Sequence, residues 1–198
     1  DYSSDGYVAV PSLAISSDGQ TVGVAWVSSR RGELLARISV DGGDTWGAIT
    51  ALQRRGANAG SGFPTASGAE GRVGFTWTRP STVFYQEYDT SGGWHSKQVV
   101  VTTPDGMSPE HLAIRSAAAG LQGGSKVGIA YGGCLSDPCD MWGLKAPGDD
   151  LLWIEAGDAG ATWSSPTVLQ PRSASSAANL DATVHWSDAN TRYVLWTT

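Results

Sequence analysis

The chain has very little of several residue types, and each scarcity argues against a class of protein. Its 198 residues include two cysteines and three scattered histidines, which form no zinc or triad pattern. No apolar run approaches the roughly 18 residues that a membrane-spanning helix needs. Acidic residues outnumber basic ones by 19 to 13, so we expect neither a nucleic-acid partner nor attachment to a membrane surface.

The two cysteines, Cys134 and Cys139, lie close together in the segment CLSDPC. No histidine lies near them, and two ligands alone do not hold zinc. We therefore expect a disulfide that closes a small loop, with two free thiols as the alternative. Because disulfides persist in oxidising compartments, this expectation favours a secreted protein.

Glycine and tryptophan, in contrast, are abundant, with 26 and nine residues, which is typical of a turn-rich, strand-rich globular protein. One short pattern, Val-Gly-apolar-small-aromatic, recurs along the chain. Each copy alternates apolar and small residues, as a partly buried β-strand does. The copies are TVGVAW (21–26), RVGFTW (72–77) and KVGIAY (126–131), with a looser one in RYVLW (192–196).

Each copy lies inside a longer repeated unit. A strand that starts near a proline precedes it, a third strand follows and ends in a turn with a Trp, and a fourth strand comes last. Four short antiparallel strands in about 50 residues are typical of a propeller blade. The predicted first strands are 10–16, 63–67 and 108–114. We therefore predict an all-β propeller segment with blades at about 8–53, 62–103 and 108–170 and a half-blade at 177–198.

The turn after each third strand has an aspartate five residues before a tryptophan. In such a turn the carboxylate accepts backbone N–H groups, a glycine supplies a positive φ, and the Trp packs between neighbouring sheets. We therefore predict a structural role for the motif. The middle copy is degenerate, with Gly93 where the others have Thr. The predicted structural residues are Asp41, Gly43, Thr45, Trp46, Asp89, Trp94, Asp158, Gly160, Thr162 and Trp163.

The segments SVDGGDTW (39–46) and AGDAGATW (156–163) resemble the Asp-box, or BNR repeat, of the sialidase-like β-propeller superfamily. The resemblance covers about three and a half repeats. It implies the N-terminal half of a six- or seven-bladed ring, with the remainder in a second chain or a lost segment. The start at Asp1, without Met or a signal peptide, also indicates an excised chain. The superfamily contains both enzymes and binding proteins, so the resemblance implies fold rather than function.

Bacterial sialidases are most similar to this chain in its first repeat, where the family has an arginine ahead of a strand and then an aspartate-bearing loop. The arginine position falls on Ala9, whose methyl group cannot clamp the carboxylate of sialic acid. The loop at 27–35 contains no Asp, and we expect its single acid, Glu33, to begin the third strand. The resemblance therefore implies no classical sialidase activity.

The loops that join second to third strands, and one blade to the next, gather on the face opposite the Asp-Trp turns, where propellers usually bind ligands. We predict that this loop face binds a carbohydrate or another anionic small ligand, although exposed arginines can also be simply solvated. The candidate ligand residues are Arg30, Arg31, Arg54, Arg55, Arg79, His111 and Trp142. The candidate catalytic acids, which the spacing does not single out, are Glu110, Asp137 and Asp140.

Three functional hypotheses remain open at this point. The favoured one is a secreted, sialidase-like propeller that recognises glycans or other anionic ligands without sialidase catalysis. The first alternative is the N-terminal half of a glycoside hydrolase whose other catalytic residues lie in a missing or separate chain. The second is a protein-interaction or assembly propeller. None of the three calls for a metal or a cofactor.

Overall fold

The computed structural model describes residues 11–28, 32–54, 64–79, 82–102, 117–121, 126–133, 150–157, 160–171, 182–187 and 191–196. These residues form β-strands and turns, and they contain no helix. In these ranges no helix is long and apolar enough to cross a membrane. All strand pairs are antiparallel.

The strands form four successive sheets. Blade 1 contains β1 (Ser12–Ile15), β2 (Val22–Ser28), β3 (Glu33–Ser39) and β4 (Thr50–Gln53), paired in that order. Blade 2 contains β5 (Thr65–Ala69), β6 (Arg72–Arg79) and β7 (Thr82–Asp89), with β8 (Gly93–Trp94) and β9 (Gln98–Thr102) both paired to β7. Blade 3 contains β10 (Ala117–Leu121), β11 (Val127–Gly133), β12 (Asp150–Ala156) and β13 (Thr167–Gln170). The half-blade contains β14 (Ala182–Trp186) and β15 (Arg192–Trp196).

This arrangement confirms the predicted fold class, a partial propeller of four-stranded antiparallel blades followed by a two-stranded sheet. The fifth strand of blade 2 is the two-residue β8, which belongs to the turn after β7. The predicted starts of the blades at 8, 62, 108 and 177 lie outside the described residues, so these limits stay predictions.

The first strand of blade 3 differs from the prediction. The sequence placed it at 108–114, whereas the strand that pairs with β11 is β10 (Ala117–Leu121). First strands of successive sheets contact one another, β1 with β5, β5 with β10 and β10 with β14, so this position is crowded. A Cβ on Gly120 would lie 2.6 Å from Cγ1 of Val184. Gly120 has no Cβ and so permits that close approach, which strand propensity alone does not reveal.

The repeated Val-Gly-apolar-small-aromatic pattern explains how the blades pack. Val73, Phe75 and Trp77 of β6 are completely buried in the core that blade 2 shares with blade 1. The glycine of the pattern lies on the opposite face of its own strand, toward the next blade. In blade 1, a Cβ on Gly23 would lie only 2.7 Å from Cζ of Phe75. The large residues of one copy therefore fill the space that the glycine of the preceding copy leaves open.

The same packing recurs between blades 2 and 3, where Val127, Ile129 and Tyr131 of β11 are buried against blade 2. A third, smaller core joins blade 3 to the half-blade through Trp153 and Trp186, whose rings lie 6.1 Å apart. These three interfaces hold the sheets in a series and direct their strand ends toward two opposite faces.

Candidate functional site

Two of the predicted ligand residues on the loop face, Arg54 and Arg79, lie within the described residues. Arg54 follows β4 of blade 1, and Arg79 ends β6 of blade 2. The Nη2 of Arg79 donates to the carbonyl oxygen of Arg54 at 3.4 Å, so the fold brings these two residues of neighbouring blades together. The other candidates lie outside the described residues and stay predictions: Ala9, Arg30, Arg31, Arg55, Glu110, His111, Cys134, Asp137, Cys139, Asp140 and Trp142.

Two carboxylates lie at the same end of the blades. Glu33 begins β3, as the sequence predicted, and Asp150 begins β12 at the equivalent position in blade 3. Asp150 is buried, with 7% of its surface exposed. Asp150 is not among the acids predicted from the sequence, although the similarity of ELL at 33–35 and DLL at 150–152 is a detectable signal for it. Asp150 is therefore an additional acidic candidate on the loop face.

The Asp41 turn of blade 1 lies on the opposite face and is held by hydrogen bonds to one carboxylate. Asp41 Oδ1 accepts from Ser39 Oγ at 2.6 Å and from the Thr45 backbone N–H at 2.8 Å, and Oδ2 accepts from the Thr45 hydroxyl. These bonds, led by that from Ser39, lower the pKa of Asp41 from 3.8 to about 2. Gly42 and Gly43 have φ of 73° and 104°, values that favour glycine. This carboxylate is fully used in holding the turn.

The equivalent turn in blade 2 is one residue shorter. Tyr88 pairs with Trp94, and Ala156 of blade 3 bridges to Trp163, so five residues lie between the partners in blade 2 and six in blade 3. The positive φ also moves: it occurs at Gly93, directly before Trp94. In blade 3 it occurs at Gly160, three residues before Trp163. The spacing of Asp and Trp is therefore the same in all three turns, although the pairing across the turn of blade 2 is shifted by one residue.

Four polar side chains lie together beside this shorter turn, and the sequence gives no indication that they do. Glu87 and Asp89 are two residues apart on β7, so both lie on the face that packs toward blade 3. After the turn the chain runs back along β7, and His95 lies beside both. His95 Nδ1 lies 3.7 Å from Glu87 Oε1, and His95 Nε2 contacts Asp89 Oδ2. Tyr85 Oη donates to Glu87 Oε2 at 2.5 Å. We call Glu87, Asp89 and His95 the turn cluster.

The two carboxylates of the turn cluster differ in their surroundings. Glu87 is 1% exposed, and its Oε1 has no hydrogen-bond partner among the described residues. Hydrogen bonds from Ser91 and Gly92 hold the pKa of Asp89 well below its usual value. The bond from the Ser91 hydroxyl makes the largest contribution. Burial, followed by the charge of Glu87, raises the pKa of Tyr85, which keeps its hydroxyl protonated.

The turn cluster is also tied to blade 3. The ring of Trp163 meets the ring of Tyr85 edge-on at 5.7 Å, and a Cβ on Gly160 would lie 3.2 Å from both rings. Tyr85 thus packs against the next blade through its ring and holds Glu87 through its hydroxyl group. The period-two spacing of Glu87 and Asp89 was a readable signal, but the sequence did not show that His95 lies beside them.

Comparison with known proteins gives the fold an independent reference. No protein-family model matches this sequence, and no curated protein matches it. The GH93 α-L-arabinofuranosidase of Fusarium graminearum, solved with arabinobiose, is similar over 89% of this chain and 52% of its own, with a TM-score of 0.55 and 16% identity. The α-L-arabinanase of Penicillium chrysogenum, also with arabinobiose, is similar over 96% of this chain and 64% of its own, with a TM-score of 0.50 and 14% identity.

The present chain thus spans about half the length of that arabinofuranosidase. Both proteins are β-propeller glycosidases, and at such low identity the likeness establishes the fold alone. A Hadza microbial sialidase has a TM-score of 0.34, which is too low to support an argument about the sialidases.

Proposed function

We propose that this chain is part of a sialidase-like, Asp-box propeller that binds carbohydrate on its loop face and lacks sialidase activity. The observation that carries the proposal is the likeness of its fold to two propellers whose structures contain arabinobiose. The hydrogen-bonded Asp41 turn supports the Asp-box assignment, since it uses the carboxylate, glycine and threonine of the motif.

The arginines at the junction of blades 1 and 2 favour an acidic sugar. Arg79 makes a long hydrogen bond of 3.4 Å to the Arg54 carbonyl, and its buried Nε–H has no partner within the described residues. A guanidinium binds a carboxylate through two parallel hydrogen bonds, and a buried donor without a partner gains most from such a ligand. We therefore propose that Arg79 contacts a sugar carboxylate.

A matched pair of variants tests this assignment. Arg72 and Arg79 are the two ends of β6, and each donates Nη2 to a backbone carbonyl at 3.4 Å, but only Arg79 lies on the loop face. Calorimetric titration with arabino-oligosaccharides, oligogalacturonate and sialyllactose should detect binding to the wild-type chain. Arg79→Gln should weaken binding of the acidic sugars roughly tenfold, and Arg72→Gln should not. Absence of binding to all three, or equal losses in both variants, would contradict the proposal.

The hydrolase alternative is favoured by the two carboxylates at the loop end, Glu33 and Asp150, because glycoside hydrolysis needs a pair of acids. In that case further catalytic residues would lie outside this sequence. Chromogenic arabinofuranosides and sialosides distinguish the two functions. We expect no turnover by the chain, whereas turnover that Asp150→Asn abolishes would establish the hydrolase.

Secretion and the bond between Cys134 and Cys139 also belong to this proposal. Thiol titration of denatured, unreduced protein should find almost no free thiol. Two reactive thiols per chain would remove the disulfide and, with it, the argument for an oxidising compartment.

A further inference from the structure

The turn cluster in blade 2 has the donor set of a metal site. The Asp-Trp motif accounts for Asp89 alone, and the proposed carbohydrate site uses none of the three residues. Each of its three residues offers one ligand atom, and these atoms lie within 4.8 Å of one another. Two carboxylate oxygens and one imidazole nitrogen suit zinc and related divalent cations. We propose that Glu87, Asp89 and His95 bind a divalent transition-metal cation, for which Zn²⁺ is the probe.

Each carboxylate of the turn cluster is held through one oxygen and directs the other toward His95. Glu87 Oε2 accepts from Tyr85 Oη, which leaves the buried Oε1 without a hydrogen-bond partner in the described structure. Asp89 Oδ1 accepts from the backbone and hydroxyl of Ser91, both at 2.7 Å, and from the Gly92 backbone at 2.5 Å. In metal sites, hydrogen bonds to the atoms that do not bind the metal orient the ligand side chains.

The backbone of His95 is also held in place. Its N–H donates to the carbonyl of Glu87 at 2.9 Å, and its carbonyl accepts from Gln86 Nε2 at 2.8 Å. These two bonds place the imidazole of His95 beside β7 before any metal binds. An ordered ligand loses less entropy when it binds a metal than a side chain on a mobile loop does.

The charge of the turn cluster and its access to solvent also suit a cation. A buried carboxylate oxygen without a partner is costly, and a bound cation would remove that cost. Arg72 lies directly across from Asp89, its charge partly offsets the rise in the pKa of Tyr85, and its Nη2 donates to the Lys126 carbonyl. The side chain of His95 is 38% exposed and that of Asp89 is 16% exposed, so a cation can enter from solvent and keep a water ligand.

The site would be specific to blade 2. The residues that donate N–H to the same strand position are Gly47 in blade 1 and Ser164 in blade 3, which offer no imidazole. In blade 1 the equivalent of Glu87 is Ile38. A bound cation would fasten the shortened turn to β7 and, through Tyr85, to Trp163 of the next blade.

Calorimetric titration of the metal-free protein with Zn²⁺ tests the proposal. The wild-type chain should bind one Zn²⁺ in the turn cluster. His95→Gln and Glu87→Gln should weaken that binding by more than about tenfold, and Tyr85→Phe by about tenfold, because outer-shell partners alone typically account for 10–100-fold. His185→Gln is the matched control, since this exposed histidine lies in β14, outside the cluster, and it should leave the affinity unchanged.

Nuclear magnetic resonance of the wild-type chain keeps the test independent of how the variants fold. Zn²⁺ should shift the imidazole signals of His95 and leave those of His185 in place, and chelation should reverse the change. No zinc binding, or binding that leaves the His95 signals unmoved, would overturn the proposal and leave an ion pair of His95 with the two carboxylates.

Discussion

Equivalent residues of β2 in blade 1 and β6 in blade 2 lie in different environments. In blade 2, Trp77 of β6 is fully buried against blade 1 and stacks on Phe84 at 5.6 Å. In blade 1, the equivalent Trp26 of β2 is only partly buried, and its neighbours on β1, Leu13 and Ile15, are 58% and 52% exposed. Among the described residues no sheet packs on this face of blade 1. The repeated pattern therefore encodes a blade contact that blade 2 makes and blade 1 leaves open.

The largest expected effect lies at the closed contact. Trp77→Ala should lower the free energy of unfolding by about 3–5 kcal/mol, because it removes a fully buried ring and leaves a cavity between two blades. Urea denaturation measures the change. Trp77→Phe keeps an aromatic ring against Phe84 and should be milder. Equal losses in the two variants would show that the packed ring volume is not what stabilises this contact.

A smaller loss is expected from Gly23→Ala on the other side of the same contact. The new Cβ would lie 2.7 Å from Cζ of Phe75 and 2.9 Å from Cγ2 of Val73, so side chains must shift. Such overpacking typically costs about 1–3 kcal/mol in unfolding free energy. Gly157→Ala is the control, because no other part of the described structure lies within 4 Å of its Cβ position. The contact model fails if both substitutions change stability equally.

A substitution on the partly exposed face of blade 1 should lower the stability less. Trp26→Ala should lower the unfolding free energy by about 1 kcal/mol, since a partly exposed ring leaves less apolar surface to lose. If a further sheet or a second chain covers this face, its addition should raise the cost of Trp26→Ala toward that of Trp77→Ala. Denaturation with and without the candidate partner provides the comparison, and a cost unchanged by any partner would argue against a covered face.

The smallest effect concerns the Asp41 turn of blade 1. Because folding lowers the pKa of Asp41 from 3.8 to about 2, its ionised form contributes stability above about pH 4 that is lost as the pH falls toward 2. Asp41→Asn removes this contribution at every pH. The urea midpoints of wild type and variant should therefore differ at pH 6 and converge near pH 2. A constant difference across that range would show that ionisation of Asp41 does not stabilise the turn.

The second, third and fourth strands of each blade were readable from the sequence. Alternation of apolar and small residues is a local property, and the pattern at 72–77 predicted β6 (Arg72–Arg79). The first strand of blade 3 was not readable, because the crowding near Gly120 comes from β14, far away in the chain. Local propensity carries no information about such a neighbour.

The candidate sites divide in the same way. The sequence placed Arg54 and Arg79 on one face, and the structure joins them by a hydrogen bond, but whether that face binds a sugar stays a proposal. Nothing in the spacing of the histidines indicated the turn cluster. His95 takes the strand position that Ser164 has in blade 3, and there its imidazole lies beside Glu87 and Asp89.

The amino-acid sequence by itself determined the repeated strands, the Asp-Trp turns and the propeller class, because these depend on the alternation and turn chemistry of neighbouring residues. Only the tertiary structure decided which faces are buried, where the turn of blade 2 shifts its register, and that Tyr85 links Glu87 to Trp163. Contacts between blades join residues that are far apart in the chain, and their geometry follows from the packing of whole sheets. That packing distinguishes the buried Trp77 from the partly exposed Trp26, although the local pattern around them is the same.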